Sequence, residues 1–456
     1  MTDKHLVVIN VVGLTANMLG ESTPNLNQLV SNNQMSPMKD IFPAVTTTAQ
    51  SSMLTGTYPD KHGIVANGWY FKDLAEVMFW KQSNHLVLQE KVWETLGKNN
   101  PEFICSKLFW WYNMYANVAS SITPRPHYLA DGRKIFDLYS SPKGLHQEIE
   151  ASVGKFPFFT FWGPKAGIDS SKWIAKSAIY EFQKFRPNLQ LVYLPHLDYN
   201  LQRLGPNNSE IDRDIKAIDN VVGELATSLE GMGADIMVVS EYGITDVDHP
   251  IHINRVLREH GYIQTRETGI TENLDCGASK AFAVSDHQCA HVYVNNKSET
   301  PKIKSLLSNI PGIEHILDKE EQKQWHINHP RSGDLVAIAS KNAWFTYYFW
   351  LDDRKAPDYA RTVDIHRKPG YDPVELFIDP KIKFPKAKIG TKIISKLLRF
   401  STLMDVISLD AELVKGSHGR LVDDPRDGPL IIAPKNLKID NPRLIDVKQI
   451  IEQYFS

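Results

Sequence analysis

The most informative segment of the chain reads Phe42-Pro-Ala-Val-Thr46-Thr-Thr-Ala-Gln-Ser-Ser-Met-Leu-Thr-Gly-Thr-Tyr-Pro-Asp-Lys-His62-Gly-Ile-Val-Ala-Asn67. It places a cluster of hydroxyl side chains where a loop enters a predicted helix, and then an Asn on a Gly-containing turn. The first N–H groups of a helix are unpaired and lie at the positive end of its dipole, so they favour anionic oxygen. A Thr hydroxyl at such a place can attack phosphorus while backbone groups stabilise the developing charge.

The same hydroxyl cluster also has a purely structural interpretation. Thr46 or Thr47 can serve as the N-cap of the helix, and Thr47-x-x-Gln50 matches the capping-box pattern. The segment alone therefore predicts a helix start and leaves two roles open for its first hydroxyl, nucleophile and cap.

The block from 53 to 67, Met-Leu-Thr-Gly-Thr-Tyr-Pro-Asp-Lys-His-Gly-Ile-Val-Ala-Asn, resembles the alkaline phosphatase superfamily in its nucleotide pyrophosphatase/phosphodiesterase branch. That branch has Thr-Phe-Pro-Asn, followed by Thr-Gly-x-x-Pro-x-x-His-Gly-Ile-x-x-Asn. The resemblance implies that Thr46 is the nucleophile and that Asn67 holds a phosphate oxygen. Thr47-Thr48-Ala49 stands where the family has Phe-Pro-Asn, so this block is a divergent copy.

Four further segments extend the resemblance over most of the chain. They are Val8-Ile-Asn10-Val-Val12-Gly-Leu14, Tyr193-Leu-Pro-His-Leu-Asp198-Tyr-Asn-Leu-Gln202-Arg-Leu-Gly-Pro206, Val239-Ser-Glu241-Tyr242-Gly-Ile-Thr245 and Lys415-Gly-Ser-His418-Gly-Arg420. Asp198 and His418 match metal-ligand positions of the family, and Glu241 replaces an Asp. Three positions depart from the pattern, where Val12 replaces Asp and both Gln202 and Tyr242 replace His.

The resemblance implies a site for divalent metal ions. One ion would be surrounded by Asp198, Gln202 and His418, and the other by Val12, Thr46, Glu241 and Tyr242. Asn10 lies two residues before Val12, hence on the same strand face. Zn²⁺ prefers imidazole, thiolate and carboxylate ligands, whereas Mg²⁺ and Mn²⁺ accept amide, hydroxyl and carboxylate oxygens. We therefore expect one retained site, for Zn²⁺, Mn²⁺ or Mg²⁺, and one altered or absent site.

The substituted positions have catalytic or substrate-binding alternatives. Glu241 is predicted to hold the second ion or to act as a base. The Tyr242 phenol is predicted to donate a hydrogen bond to a phosphoryl oxygen. Gln202 offers a weak amide ligand, to substrate or to metal.

Composition limits the class of protein. The 456 residues include 51 basic and 53 acidic side chains, a formal charge of −2, which argues against a nucleic-acid-coating surface. A small phosphorylated substrate must therefore be held by a local site. Cys105, Cys276 and Cys289 form no paired framework and are expected to be reduced, buried thiols. No apolar run approaches the roughly 20 residues that span a bilayer, and the first residues lack a signal-peptide pattern, so we expect a cytoplasmic location.

Short aliphatic runs alternate with helical patterns along the chain. Leu6–Val12, Leu189–Leu194, Asp235–Ser240 and Leu335–Ala339 are predicted as buried parallel strands. Residues 210–229 have apolar side chains at helical spacing. We predict an α/β fold with a doubly wound, mostly parallel sheet, helices on both faces and inserted subdomains. Residues 1–456 would form one such domain, with an aromatic-rich cap at 70–185 and a late insertion near the active site at 343–400.

Several polar residues outside the main motifs have two interpretations. His249, His252, His287, His291 and His366 are either compensating metal ligands or ordinary hydrogen-bonded histidines. Three basic residues, Arg203, Arg367 and Lys368, are either phosphate clamps or solvated surface groups.

Three functions remain in contention. The leading one is a metal-dependent hydrolase of phosphodiester or pyrophosphate bonds, in which Thr46 forms a phospho-enzyme intermediate. The second is a catalytically degenerate protein that binds a phosphorylated ligand or a partner. The third is a phosphomonoesterase, phosphomutase or phosphonate hydrolase on the same fold. The sequence leaves open the leaving group and the oligomeric state.

Overall fold

The computed structural model describes residues 4–130, 133–398, 400 and 402–456. The chain divides into two compact units. The first unit comprises Met1–Ile64, Gln82–Ile244 and Leu421–Ser456, and the second comprises Val65–Lys81 and Thr245–Arg420. The second unit is thus formed by two stretches inserted into the sequence of the first.

An eight-stranded sheet forms the centre of the first unit. Its strands, in spatial order, are Gln34–Pro37, Leu430–Ala433, Asp235–Val239, Leu6–Val11, Leu189–Leu194, Cys105–Leu108, Ser120–Pro124 and Leu138–Ser141. The five consecutive strands from Asp235–Val239 to Ser120–Pro124 are mutually parallel, and antiparallel pairs occur towards both edges. The prediction of a mostly parallel α/β sheet is confirmed.

The helices of the first unit form two groups of neighbours. Ile168–Phe185 packs with Ile211–Glu230, and Thr46–Thr55 packs with Val447–Phe455. The remaining α-helices of the unit are Pro24–Asn32, Pro59–His62, Val92–Asn99, Leu145–Val153 and His196–Leu204. The helix predicted at 210–229 is confirmed within one residue at each end, because its apolar stripe is buried as its spacing requires.

The first strand of the sequence, Leu6–Val11, contains one buried polar residue. All six residues of Leu6–Val11 are buried, as expected for a parallel strand whose two faces are both covered. Asn10 is the only polar side chain among them. A buried amide needs hydrogen-bond partners, so Asn10 must have neighbours that supply them.

A four-stranded antiparallel sheet forms the core of the second unit. Its spatial order is Ala281–Asp286, Cys289–Val294, Leu335–Ala339 and Ile313–Leu317. The prediction that Leu335–Ala339 is a parallel strand is wrong. A strand buried on both faces reads as a continuous apolar run whichever way its neighbours point, so the pattern does not reveal direction.

Shorter elements complete the second unit. Its strand pairs are Gly68–Phe71 with Glu76–Phe79, Thr245–Asp246 with Gly416–Ser417, His249–Ile251 with Ala343–Phe345, and Gln264–Thr268 with Thr271–Asp275. Its α-helices are Ile253–Glu259, Thr300–Ser308, Lys319–Gln324 and Pro385–Leu397. Among the described residues, no helix has the length and apolar character that crossing a bilayer requires.

The predicted 70–185 insertion is divided between the two units. Residues before Gln82 belong to the second unit, and those from Gln82 onward belong to the first, where three of their strands join the main sheet. The late insertion at 343–400 lies wholly in the second unit. A single α/β domain over the whole chain therefore stays a prediction. The three cysteines are free and buried, as expected.

Candidate active site

Thr46 is the first residue of the helix Thr46–Thr55, all ten residues of which are buried. The residue before it, Val45, is the N-cap and its side chain makes no capping hydrogen bond. The capping-box interpretation of Thr47 and Gln50 is therefore wrong. The Gln50 side chain is used elsewhere, which local sequence spacing does not reveal.

A hydrogen-bonded chain connects Thr46 to a carboxyl group. Thr46 Oγ1 lies 2.9 Å from the Tyr242 hydroxyl, and that hydroxyl donates to Asp198 Oδ1 at 3.3 Å. Because a phenol has one hydrogen, this arrangement makes the Thr46 hydroxyl the donor to Tyr242. Thr46, Tyr242 and Asp198 thus form a route along which a proton can leave the threonine.

Glu241 is fixed by two amide side chains. Glu241 Oε1 accepts from Asn10 Nδ2 and from Gln50 Nε2, both at 2.6 Å. Gln50 Oε1 in turn accepts from the Trp111 backbone N–H at 2.7 Å. In the described part of the chain, Glu241 Oε2 and Asn10 Oδ1 are buried and form no hydrogen bond of ordinary geometry. Each of these two oxygens is therefore an available ligand atom.

Asp198 and Gln202 lie one turn apart on the helix His196–Leu204. Gln202 Nε2 donates to Asp198 Oδ2 at 2.7 Å. The amide therefore presents its nitrogen, and not its oxygen, to the carboxylate that it was expected to help in binding a metal ion. Its role towards substrate stays a prediction.

The carboxyl groups of Asp198 and Glu241 are buried in surroundings that disfavour their ionised forms. Burial raises the pKa of Glu241 to about 8, although hydrogen bonds from Gln50 and Asn10 and the nearby Thr46 hydroxyl oppose it. Burial likewise raises the pKa of Asp198 to about 7, against hydrogen bonds from Tyr242 and Gln202. Among the described residues, hydrogen bonds from uncharged side chains favour the ionised forms of both groups. Two ionised carboxylates buried in this way would need a positive charge close by.

The donor set of the first unit fits a hard divalent ion better than zinc. It offers the unpaired oxygens of Glu241 and Asn10, the Thr46 hydroxyl and the Asp198 carboxylate. These are the oxygen donors that Mg²⁺ or Mn²⁺ accepts, whereas zinc prefers imidazole or thiolate. Within the described ranges, no three His, Cys, Asp or Glu side chains gather as a metal-binding group.

In the second unit, Asn67 is fixed by an aspartate. Its backbone N–H donates to Asp286 Oδ2 at 2.7 Å, and its side-chain Nδ2 donates to Asp286 Oδ1 at 3.1 Å. Both residues are buried, and burial raises the pKa of Asp286 to about 7. Asp286 thus orients the residue expected to hold a phosphate oxygen. Short-range sequence patterns give Asp286 no such role, because its partner Asn67 lies 219 residues away.

His418 also lies in the second unit, against a second imidazole. The ring of His287 is centred 3.6 Å from the ring of His418 and 3.7 Å from that of Tyr371. His287 has a φ of +58° at the tip of the hairpin between Ala281–Asp286 and Cys289–Val294, a strained conformation for a residue other than glycine. Burial lowers the pKa of His287 well below its usual value. Whether His418 holds a metal stays a prediction.

Three of the other histidines make ordinary structural contacts. The pairs are His249 Nε2 with Pro311 O (3.2 Å), His252 Nδ1 with Thr346 Oγ1 (2.8 Å) and His366 Nδ1 with Phe79 O (3.4 Å). These contacts favour the hydrogen-bonded interpretation over metal ligation for each of the three.

His291 is locked in its neutral form inside the second unit. Its Nε2 lies 3.0 Å from Val65 O, and its Nδ1 accepts from the Gly333 N–H at 3.1 Å. Since a backbone N–H must meet an unprotonated nitrogen, the hydrogen lies on Nε2. Burial lowers the pKa of His291 to about 4.

This histidine predicts a specific acid sensitivity. An unfolded His has a pKa of about 6.5, so His291 should destabilise the fold as the pH falls from about 6.5 towards 4, by up to about 3 kcal/mol. His291→Gln keeps a donor and an acceptor without titrating, and should show a smaller loss of stability over this range. Urea unfolding between pH 7 and pH 4 measures the free energy of unfolding of both proteins, with His249→Gln at an exposed position as the control. The same pH dependence in His291→Gln and wild type would contradict the prediction.

Comparison with known proteins relates the chain to a family. Residues 6–372 match the family model of type I phosphodiesterase / nucleotide pyrophosphatase. A Schizosaccharomyces pombe protein described as an uncharacterized pyrophosphatase/phosphodiesterase is 26% identical over 262 residues, which are 55% of this chain and 46% of that protein. The bis(5'-adenosyl)-triphosphatase enpp4 of Xenopus laevis is 21% identical over 346 residues, 74% of this chain and 65% of that protein. The chain thus spans less than two thirds of the length of these curated relatives.

Solved structures share the fold. Murine ectonucleotide pyrophosphatase/phosphodiesterase 5, in a complex with AMP, has a TM-score of 0.58 at 14% identity, covering 99% of this chain and 94% of that one. Phosphonoacetate hydrolase from Sinorhizobium meliloti has a TM-score of 0.63 at 13% identity, with 99% and 96% covered. The family model and the names of these relatives refer to pyrophosphatases and phosphodiesterases. The chain belongs to the type I phosphodiesterase/nucleotide pyrophosphatase family.

Proposed function

We propose that this protein is a metal-dependent hydrolase of phosphodiester or pyrophosphate bonds and that Thr46 is its nucleophile. The observation that carries the proposal is the chain from Thr46 through Tyr242 to Asp198 at a helix start. A hydroxyl nucleophile is weak unless a neighbouring group takes its proton. The family to which the chain belongs is named for this class of bond cleavage.

The contacts support a two-step reaction. Thr46 Oγ1 attacks phosphorus, its proton passes to the Tyr242 oxygen, and Tyr242 gives its own proton to Asp198. The bond from phosphorus to the leaving oxygen breaks, and that oxygen keeps the electron pair and is protonated by water. The hydroxide left from that water attacks the phospho-threonine, the bond from phosphorus to Thr46 Oγ1 breaks, and Oγ1 regains through Tyr242 the proton held on Asp198. The Asp198 carboxylate lies within hydrogen-bond reach of the phenol, so it is placed to accept that proton.

The remaining candidates have supporting roles. Asn10, Thr46, Glu241 and Asp198 would hold a divalent ion, with Glu241 as the alternative base. The ion supplies positive charge for the phosphoryl oxygens. Asn67, held by Asp286, would bind a non-bridging oxygen, as the family resemblance implies. His418 stays a proposed ligand, to be tested by its own variant.

The substrate is proposed to be small and phosphorylated. A relative named bis(5'-adenosyl)-triphosphatase and a structural neighbour in complex with AMP favour a nucleotide-containing substrate. Asn67, Gln202 and Tyr242 are the residues proposed to contact it, at positions that the family resemblance assigns to the site. A cytoplasmic location stays a prediction, for which the three free, buried thiols are the supporting observation.

A non-hydrolytic phospho-ligand-binding protein is the second candidate. It is favoured by the hydrogen bonds that Gln202 and Tyr242 donate to Asp198 at positions where the family has histidine ligands. These donors partly solvate the carboxylate without a metal ion. Such a protein would bind nucleotides and release no product.

Metal dependence provides the decisive experiment. Purified protein is treated with a chelator, desalted and assayed for p-nitrophenol release from bis-p-nitrophenyl phosphate with Mg²⁺, Mn²⁺ or Zn²⁺. We expect chelation to abolish turnover, and Mn²⁺ or Mg²⁺ to restore more of it than Zn²⁺, because the first unit offers oxygen donors. Absence of turnover with every ion, together with nucleotide binding by calorimetry, would establish the second candidate instead.

Tyr242→Phe tests the proton route. The variant keeps the ring and loses the hydroxyl that contacts Thr46 and Asp198. Hydrogen bonds to charged groups contribute about 1.5–3 kcal/mol, so kcat should fall about tenfold to a hundredfold. Tyr199→Phe, which changes a second buried tyrosine of the first unit, is the matched control. Unchanged kcat in Tyr242→Phe would remove the phenol from the reaction.

A further inference from the structure

The segment from Lys381 to Met404 concentrates basic and apolar residues. It reads Lys-Ile-Lys-Phe-Pro-Lys-Ala-Lys-Ile-Gly-Thr-Lys-Ile-Ile-Ser-Lys-Leu-Leu-Arg-Phe-Ser-Thr-Leu-Met, with six Lys, one Arg and no Asp or Glu. The whole chain has 51 basic and 53 acidic residues, so the residues outside this segment carry an excess of acidic side chains. This segment, called the basic segment below, lies in the second unit and has no part in the proposed chemistry.

The basic segment contains a helix whose apolar side chains are exposed. The helix Pro385–Leu397 has no buried residue. Ile393, Ile394 and Leu397 lie on one face at one-turn spacing and are 47%, 58% and 77% exposed. Phe384, Leu398, Phe400 and Leu403 around the helix are also exposed large apolar residues. A helix of a water-soluble protein normally turns such a stripe towards the core, so this face lacks a partner in the described structure.

The opposite edge of the helix is held by the residues that follow it in the chain. Lys388 Nζ lies 3.2 Å from Asp405 Oδ2 and donates to Asp405 O at 2.7 Å. Lys392 also pairs with Asp405 and donates to Leu403 O at 2.7 Å. These contacts leave Ile393, Ile394 and Leu397 directed away from the attached edge. The apolar exposure therefore follows from how the helix is held.

Charge distinguishes among the surfaces that could cover this face. Two copies of the basic segment would bring like charges together, which opposes self-association through it. The phosphates of a nucleic acid would pair with the lysines, but the isoleucine and leucine side chains would stay exposed to water. A bilayer with anionic headgroups satisfies both, because apolar side chains enter the acyl boundary while lysines contact lipid phosphates.

We propose that the basic segment attaches this protein to the surface of an anionic lipid bilayer. The helix lies in the plane of the interface, with Ile393, Ile394, Leu397 and Leu398 inserted roughly 5–10 Å into the headgroup and acyl boundary. The exposed lysines at 381, 383, 386 and 396 remain at headgroup level. Attachment of this kind requires no membrane-crossing helix.

Vesicle flotation tests the proposal with full-length protein. Wild type, Ile394→Glu/Leu397→Glu and Ile270→Glu are mixed with vesicles of phosphatidylcholine alone or of equal parts phosphatidylcholine and phosphatidylserine. Ile270 is 86% exposed in the same unit but outside the basic segment, so its variant is the matched control. Circular dichroism melting curves check that all three proteins are folded to the same extent.

We expect wild type and Ile270→Glu to float with the phosphatidylserine vesicles and not with phosphatidylcholine alone. The double variant should bind at least about tenfold more weakly, because it removes two inserted apolar side chains. Binding should also weaken as salt rises from 0.1 M to 1 M, where the screening length falls from about 10 Å to about 3 Å.

Three results would overturn the proposal. One is the absence of wild-type binding to either vesicle. Another is equal binding by the double variant and Ile270→Glu. The third is a wild-type dimer in light scattering that the double variant abolishes while neither protein binds vesicles, which would assign the face to a second copy of the chain.

Discussion

Thr46→Val should lower phosphodiester hydrolysis at least about a thousandfold, because it removes the attacking oxygen and keeps the shape of the side chain. The fold should survive, since valine retains the β-branched form at a buried helical position. Loss of the nucleophile should appear in kcat, and incubation with substrate should leave no phosphate on the protein. Mass spectrometry after acid quenching measures this covalent intermediate directly.

The same helix offers a matched control two residues away. Thr48 is fully buried, and its Oγ1 makes no hydrogen bond within the described structure. Thr48→Val makes the identical chemical change and should leave kcat within about twofold of wild type, because it removes no bond. If both variants lost activity equally, the effect would come from the helix and the nucleophile assignment would be wrong. Full activity in Thr46→Val would exclude a threonine phospho-enzyme.

Lys368→Met should lower the free energy of unfolding by about 3–5 kcal/mol at neutral pH. Lys368 Nζ lies 2.7 Å from both Asp372 Oδ2 and Glu375 Oε1, and all three side chains are at most 3% exposed. Removing the lysine leaves two buried carboxylates without compensation. This geometry contradicts both earlier interpretations of Lys368, because an ammonium fully engaged inside the protein is neither a phosphate clamp nor a solvated group.

The pH dependence of the variant identifies the cause. Without the lysine, a buried carboxyl such as Glu375 has a raised pKa and takes up a proton, so the difference from wild type should shrink as the pH falls towards 5. Lys368→Met/Glu375→Gln should regain part of the stability. Urea unfolding followed by tryptophan fluorescence measures these changes, with the exposed Lys280→Met as a control expected within about 0.5 kcal/mol. A loss independent of pH would indicate repacking instead of unpaired charge.

Local sequence patterns were enough to predict several strands and helices of this protein and its family. The buried strands at Leu6–Val11 and Leu189–Leu194 and the helix Ile211–Glu230 follow from apolar spacing alone. The motif around Thr46 sufficed for the family, because the residues that carry it are close together in the chain. Asp198 and Glu241 were predicted as site residues in the same way, each from a short segment.

Only the tertiary structure decided how these residues are paired. Gln50 could have capped its own helix, but its side chain contacts Glu241 instead. Leu335–Ala339 reads like a parallel strand and lies in an antiparallel sheet. Hydrophobic spacing and helix signals depend on neighbours along the chain, so a sequence contains them directly. Hydrogen-bond partners such as Asp286 for Asn67 are far apart in sequence, and they depend on the packing of the whole unit.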